Sequence, residues 1–178
     1  MSKFKFSKTY LFDIGHPCYV HVFKNLINDL IKNGNKVIVT TKQEKDIIQL
    51  LKLYKIPFLI LGTKYNSILY KIFSQLIFNI RLFRILKKFN VNYAIGNTNT
   101  VAHSSFFLKE TKSYIFCDDD KEVIPLFAYT TYPFAENIIN LNCMPEVHVN
   151  KGIKVNSYKE LAYLHPDLFK PDISVLTE

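Results

Sequence analysis

"KTYLFDIGHPCYVHVFKNLINDLIKNGNKVIVT", residues 8–40, sets two periodicities side by side. Residues 8–14 form a nearly continuous apolar run, the pattern of a strand buried on both faces. From 18 to 33 the apolar positions Val20, Phe23, Leu26, Ile27, Leu30 and Ile31 recur at helical spacing. Pro17 suits the first turn of that helix, where its missing amide hydrogen costs nothing, and Gly34 closes it. "KVIVT", 36–40, reads as a second strand. Strand, helix and strand in so short a span make a crossover unit, which pairs its two strands in parallel.

The same alternation continues. Thr41 and Glu44 have the spacing of a capping box for a helix through Tyr54, with Ile47, Ile48, Leu51 and Tyr54 inward. "PFLIL" (57–61), "NYAIG" (92–96), "SYIFC" (113–117) and "NIINL" (137–141) read as strands. Between them lie a long helix over 67–89, a short one over 99–109, and a helix-like stretch from 121 interrupted at Pro125. The expected fold is α/β: a Rossmann-like, doubly wound parallel sheet of about six or seven strands. That domain is expected over 1–141. Residues 142–178, with Pro145, Pro166, Pro171 and weak periodicity, read as a crossing segment.

Composition narrows the function classes. The chain has 178 residues, 48% apolar and 21% charged, as a globular protein does. Cys18, Cys117 and Cys143 are few, odd in number and widely spaced, which predicts free thiols in a reducing cytoplasm. No secretory leader is visible, and 68–86 is too interrupted by Lys71, Gln75, Asn79, Arg81 and Arg84 to span a membrane. The net charge of +8 is concentrated: 47–109 holds nine Lys or Arg and no Asp or Glu. Only Arg81 and Arg84 are arginines, which argues against a reader of specific nucleic-acid sequence.

In a doubly wound sheet, ligands bind at the carboxyl ends of the strands, where the order switches sides. The first strand delivers Asp13, Gly15, His16 and, on the helix that follows, His21 to that edge. The fourth delivers Gly96, Asn97, Thr98, Asn99, Thr100 and His103. The fifth delivers Asp118, Asp119 and Asp120. The loop lacks the three glycines of a dinucleotide fingerprint, and no Walker A sequence is present. His16 and His21 have no metal-site spacing, so no metal is expected. A Cys18–histidine nucleophile pair lacks an identifiable orienting group.

"DIGHPCYVHVFKNLINDLIKNGNKVIVTTK", "NYAIG" with its loop, "YPFAENII" and "SYKELAYLHPDLFKPDISVL" together resemble family 354 of the domain-of-unknown-function series. Its members are described as glycosyltransferase-like. The resemblance implies a GT-B arrangement of two Rossmann domains, also used by non-hydrolysing sugar-nucleotide 2-epimerases. This chain then reads as the amino-terminal, acceptor-side half. Its partners would be a nucleotide sugar and a hydroxyl acceptor, with no metal or cofactor required. His16 would be the general base, because an imidazole can take a hydroxyl proton near neutral pH. Asp13 or a carboxylate of 118–120 would orient it, and Gly15, His21, Gly96, Asn97, Thr98, His103, Asp118 and Asp119 would bind substrate. The chain departs from the family pattern in "DDDKEV", which lacks a His, in "GNTNT", which lacks an Arg, and at Ser157 in place of Gly. Two further readings stay open: a sugar-nucleotide 2-epimerase-like domain, and a binding module inactive without its second domain.

The helix "NSILYKIFSQLIFNIRLFRILKKF", 66–89, predicts an inward stripe of Leu69, Ile72, Phe73, Leu76, Ile80 and Phe83. Ile68, Ile77, Phe78, Leu82 and Ile85 are left over, beside Lys71, Arg81, Arg84, Lys87 and Lys88. A basic helix with surplus apolar surface can lie on an anionic membrane, so the expected location is cytoplasmic, peripheral on the inner face of the membrane through 66–89.

Overall fold

In a computed structural model that describes residues 8–64, 67–145 and 150–171, strand and helix alternate as the periodicity predicts. The strands β1 (Thr9–Ile14), β2 (Lys36–Gln43), β3 (Leu59–Thr63), β4 (Tyr93–Gly96), β5 (Lys112–Cys117), β6 (Asn137–Leu141) and β7 (Gly152–Val155) form one sheet. Their order is β3-β2-β1-β4-β5-β6-β7, and every neighbouring pair is parallel. The helices are α1 (Pro17–Lys32), α2 (Lys45–Leu53), α3 (Ile68–Lys88), α4 (Asn99–Ser105), α5 (Pro125–Thr131) and α6 (Leu161–Leu164).

Successive strand residues point to opposite faces, so each strand feeds two cores. Leu11, Ile38, Ala94 and Ile115 pack under α3, α4 and α5 with Phe78, Leu82, Leu86, Val101 and Ala128. Their neighbours Phe12 and Val39 pack under α1 and α2 with Phe23, Ile27, Ile47 and Leu51, joined by Ile95 and Phe116. This double burial is why the strands read as apolar runs rather than as alternation.

The capping box predicted from Thr41 and Glu44 does not form. Thr41 stays in β2 opposite Ile14, and its hydroxyl donates to the Ile14 carbonyl at 2.9 Å. Glu44 is the N-cap of α2 without a side-chain capping bond; its carboxylate accepts from Lys64 instead. On α1 the buried face holds Tyr19, Val20, Val22, Phe23 and Ile27, while Leu26 and Ile31 are exposed. α4 stops at Ser105, short of the 109 expected. The sheet also continues past Leu141, because β7 pairs with β6 inside the segment expected to be only a crossing.

The largest correction concerns α3. Its buried line is Ser74, Phe78, Leu82 and Leu86, every fourth residue. Leu69, Ile72, Phe73, Leu76 and Ile80, the stripe predicted to face the sheet, are exposed. The side chain of Ile68 lies outside the described residues.

Candidate functional site

The sheet order turns at β1 and β4. These strands are parallel neighbours, with Asp13 opposite Gly96, and their helices leave to opposite faces. The two loops touch: the Gly15 amide donates to Asn97 Oδ1 at 2.9 Å. A Cβ on Gly15 would meet Thr98 Cγ2 at 2.6 Å, and one on Gly96 would meet the Asp13 carbonyl oxygen at 2.5 Å. Glycine is therefore needed at both ends for the loops to close this tightly.

Asp13 lies beneath this contact, fully buried. Thr40 Oγ1 donates to one carboxylate oxygen at 2.6 Å, and Thr98 Oγ1 to the other at 2.5 Å. Burial pushes the carboxyl above its ordinary range, against the pull of the two hydroxyls. With both oxygens engaged, Asp13 fastens β1, β2 and the β4 loop together. It does not orient His16, as the sequence reading allowed.

Above the switch is a cavity of about 360 Å³, lined by His16, Cys18, Tyr19, Asn97, Phe116, Cys117, Asp118, Asp119, Ile124, Phe127 and Lys159. His16 caps α1 in an extended conformation. Its Nδ1 lies 3.1 Å from Cys18 Sγ and 3.4 Å from the Cys18 amide. Asp118 accepts from the Tyr19 hydroxyl and from the Lys159 ammonium. Burial works to raise the Asp118 carboxyl, but Lys159 and Tyr19 outweigh it and hold the group below its ordinary range. Burial works to lower Lys159, and Asp118 reverses that and raises it. Burial and the Asp118 charge both push the Tyr19 phenol up, so it stays a donor. Burial likewise raises the Cys18 and Cys117 thiols. The site is thus a pocket lined by a paired carboxylate and ammonium and by an imidazole.

Of the residues predicted for the site, His16, Asn97, Asp118 and Asp119 line the cavity. Asp13, Gly15, Gly96 and Thr98 build the floor beneath it. The two remaining histidines lie elsewhere. His21 Nδ1 meets the Tyr54 hydroxyl at 3.0 Å, and its ring packs on Tyr54 and Tyr163 beneath α2 and α6. His103 is wedged between α3 and α5, with Asn79 Nδ2 at 3.2 Å and the Thr130 carbonyl at 2.6 Å. Helix phase explains both: each lies a turn or so past the loop, rotated off the cleft. Tyr19 and Lys159 were missed. Lys159 belongs to the quoted "SYKELAYL" block, and that block was the one signal pointing to it. Among the described residues, no three His, Cys, Asp or Glu are grouped to hold a metal.

The chain matches a family described as "Protein of unknown function (DUF354)" over residues 9–160. No curated protein sequence matches. Among solved structures, the fold is similar to MurG of Acinetobacter baumannii at TM-score 0.57 and 14% identity, covering 78% of this chain and 43% of that one. It is equally similar to the UDP-GlcNAc 2-epimerase of Neisseria meningitidis, bound to UDP-GlcNAc, at TM-score 0.57 and 15% identity, covering 74% and 39%. A glycosyltransferase from Rickettsia africae matches at TM-score 0.55 and 12% identity, covering 93% and 47%. The chain therefore spans less than half the length of these three proteins.

Proposed function

The chain belongs to the DUF354 family, and from that premise we propose that it is the acceptor-side half of a GT-B glycosyltransferase-like enzyme. The reaction is transfer of a sugar from a nucleotide sugar to a hydroxyl. The observation that carries this reading is the cavity at the β1–β4 switch, lined by His16 and by the Asp118–Lys159 pair. An acceptor hydroxyl enters between them, and Asn97 and Asp119 offer it hydrogen bonds. His16 Nε2 takes the hydroxyl proton as the oxygen attacks the anomeric carbon. The bond from that carbon to the diphosphate breaks, and the nucleoside diphosphate leaves.

A base at Nε2 needs its lone pair. Donation from Nδ1–H to Cys18 Sγ at 3.1 Å leaves it free. The other tautomer, with Nδ1 accepting the longer 3.4 Å contact from the Cys18 amide, does not. The nucleotide sugar belongs to a second domain in this reading. Calorimetry of the 178-residue chain with UDP-sugars should then show no tight binding. A micromolar dissociation constant would overturn this division of labour.

Epimerisation at C2 is the second reading, favoured by the equal TM-score of 0.57 for the Neisseria 2-epimerase. Solvent deuterium entering C2 of the sugar would select it. Sugar transfer without such exchange would exclude it.

A further inference from the structure

The exposed stripe of α3 has no cover. Leu69 is 77% exposed, Ile72 68% and Phe73 63%, and Leu76 and Ile80 continue the line. At 100° per residue these five fall on one side of the helix, opposite the buried Phe78 and Leu82. Phe107, 77% exposed, extends the surface from the end of α4. A groove of about 870 Å³, walled mainly by Leu76, Ile80 and Phe83 of α3 with Phe107, Tyr129 and Phe134, opens beside it. Scattered apolar residues on a surface need no explanation; a contiguous aromatic and aliphatic stripe of this length does.

Two features of the molecule bear on what covers it. The first is charge: Lys71, Arg84, Lys87 and Lys88 on the same helix are exposed, and 47–109 contains no Asp or Glu. Arg84 and Lys87 lie on the apolar side itself, one and two turns beyond Ile80. The second is topology: α6 packs in the opposite layer, where Asn25 Nδ2 donates to the Ala162 carbonyl at 2.8 Å. No described segment turns back over α3. Among the described residues, no helix is long and apolar enough to cross a membrane.

We propose that this face of α3, with Phe107, docks on an anionic bilayer. The apolar first half enters the headgroup–acyl boundary, and Arg84 and Lys87 meet lipid phosphates at the other end. The Gln75 side chain on α3 donates to Thr100 Oγ1 at 3.0 Å, so this end of α3 adjoins the first turn of α4, which follows the loop that floors the cavity. A membrane-borne hydroxyl compound would therefore arrive beside the cleft. The docking itself is independent of the sugar-transfer reading, since vesicles carry no sugar nucleotide.

The test is co-sedimentation of the 178-residue chain with vesicles of phosphatidylcholine alone, or of phosphatidylcholine mixed with phosphatidylglycerol. Binding to the mixed vesicles, little to the neutral ones, and release at high salt are expected. The double variants Ile72→Gln/Phe73→Gln and Arg84→Gln/Lys87→Gln should each weaken binding on the order of tenfold or more. Leu53→Gln, exposed on α2 in the opposite layer, should bind as the parent does. Unchanged circular dichroism across the set guards against misfolding. Equal recovery in the supernatant with both vesicle types would overturn the proposal. So would parent-like binding by both double variants, or a dimer of the free chain that these variants dissolve without altering vesicle binding.

Discussion

Lys159 grips the carboxylate of Asp118 from 41 residues further along the chain, and so fastens the start of the last described helix to the end of β5. The Tyr19 hydroxyl shares the same carboxylate, so three segments meet there. The two shifts oppose ordinary titration in a definite way. Asp118 is held below 3.8, so its contribution is present above that pH and lost as pH falls through the folded value. Lys159 is held above 10.5, so its contribution is present below that pH and lost as pH rises through the folded value. Lys159→Met should therefore cost roughly 1 kcal/mol across the neutral range. The difference from the parent should shrink at both extremes in urea unfolding followed over pH. A difference independent of pH would show that only packing was lost.

Asp13 titrates the other way. Its carboxyl is raised by burial, so it favours the fold at acid pH and opposes it as pH rises through the folded value. Thr98→Val removes the 2.5 Å hydrogen bond that eases the buried charge. The loss should be about 1.5–3 kcal/mol above the pH at which the raised Asp13 carboxyl ionises in the folded protein, and smaller below it. A loss that stays the same across the pH range would contradict a bond that eases a buried charge.

Substitution at Gly96 should cost far more than substitution at Gly34. Gly96→Ala places a methyl 2.5 Å from a backbone oxygen that cannot move aside, and should cost more than about 3 kcal/mol. Gly34 has φ +77 and open space, so Gly34→Ala carries only the backbone penalty of about 1 kcal/mol. Thermal unfolding of both variants gives the order. A reversal would mean the β1–β4 loops are looser than described.

The parallel sheet was legible because strands buried on both faces leave long apolar runs, as Leu11 and Phe12 do by feeding opposite cores. The orientation of α3 was not. Apolar residues surround it, and the richest stripe, Leu69 to Ile80, is the exposed one, while the buried line includes Ser74. Periodicity finds the most apolar face, and only tertiary contacts decide whether that face is inside. The floor of the site could be read from Gly15, Gly96 and Asp13, which are close in sequence to the strands that place them. The walls could be read in part: His16, Asn97, Asp118 and Asp119 line them, but Lys159 comes from a distant segment, and His21 and His103 are turned away by helix phase.

The thiols report on the cavity. All three cysteines are free, with Cys143 exposed, Cys18 partly covered and Cys117 buried. A disulfide reagent should modify Cys143 first and Cys117 last, and burial should slow Cys18 and Cys117 further by raising their thiols. Ligand in the cavity should protect Cys18 and leave Cys143 unaffected. Faster reaction at Cys117 than at Cys143 would place the β5 end at the surface.

The most direct measurement is the rate of sugar transfer by His16→Ala in the protein joined to its second domain. Rates are taken against a panel of nucleotide sugars with a hydroxyl acceptor. As the proposed general base, His16 should account for about 10²–10⁴ in kcat. KM for the nucleotide sugar should change little, because the proposal assigns that ligand to the other domain. A variant that turns over at the parent rate would contradict the account.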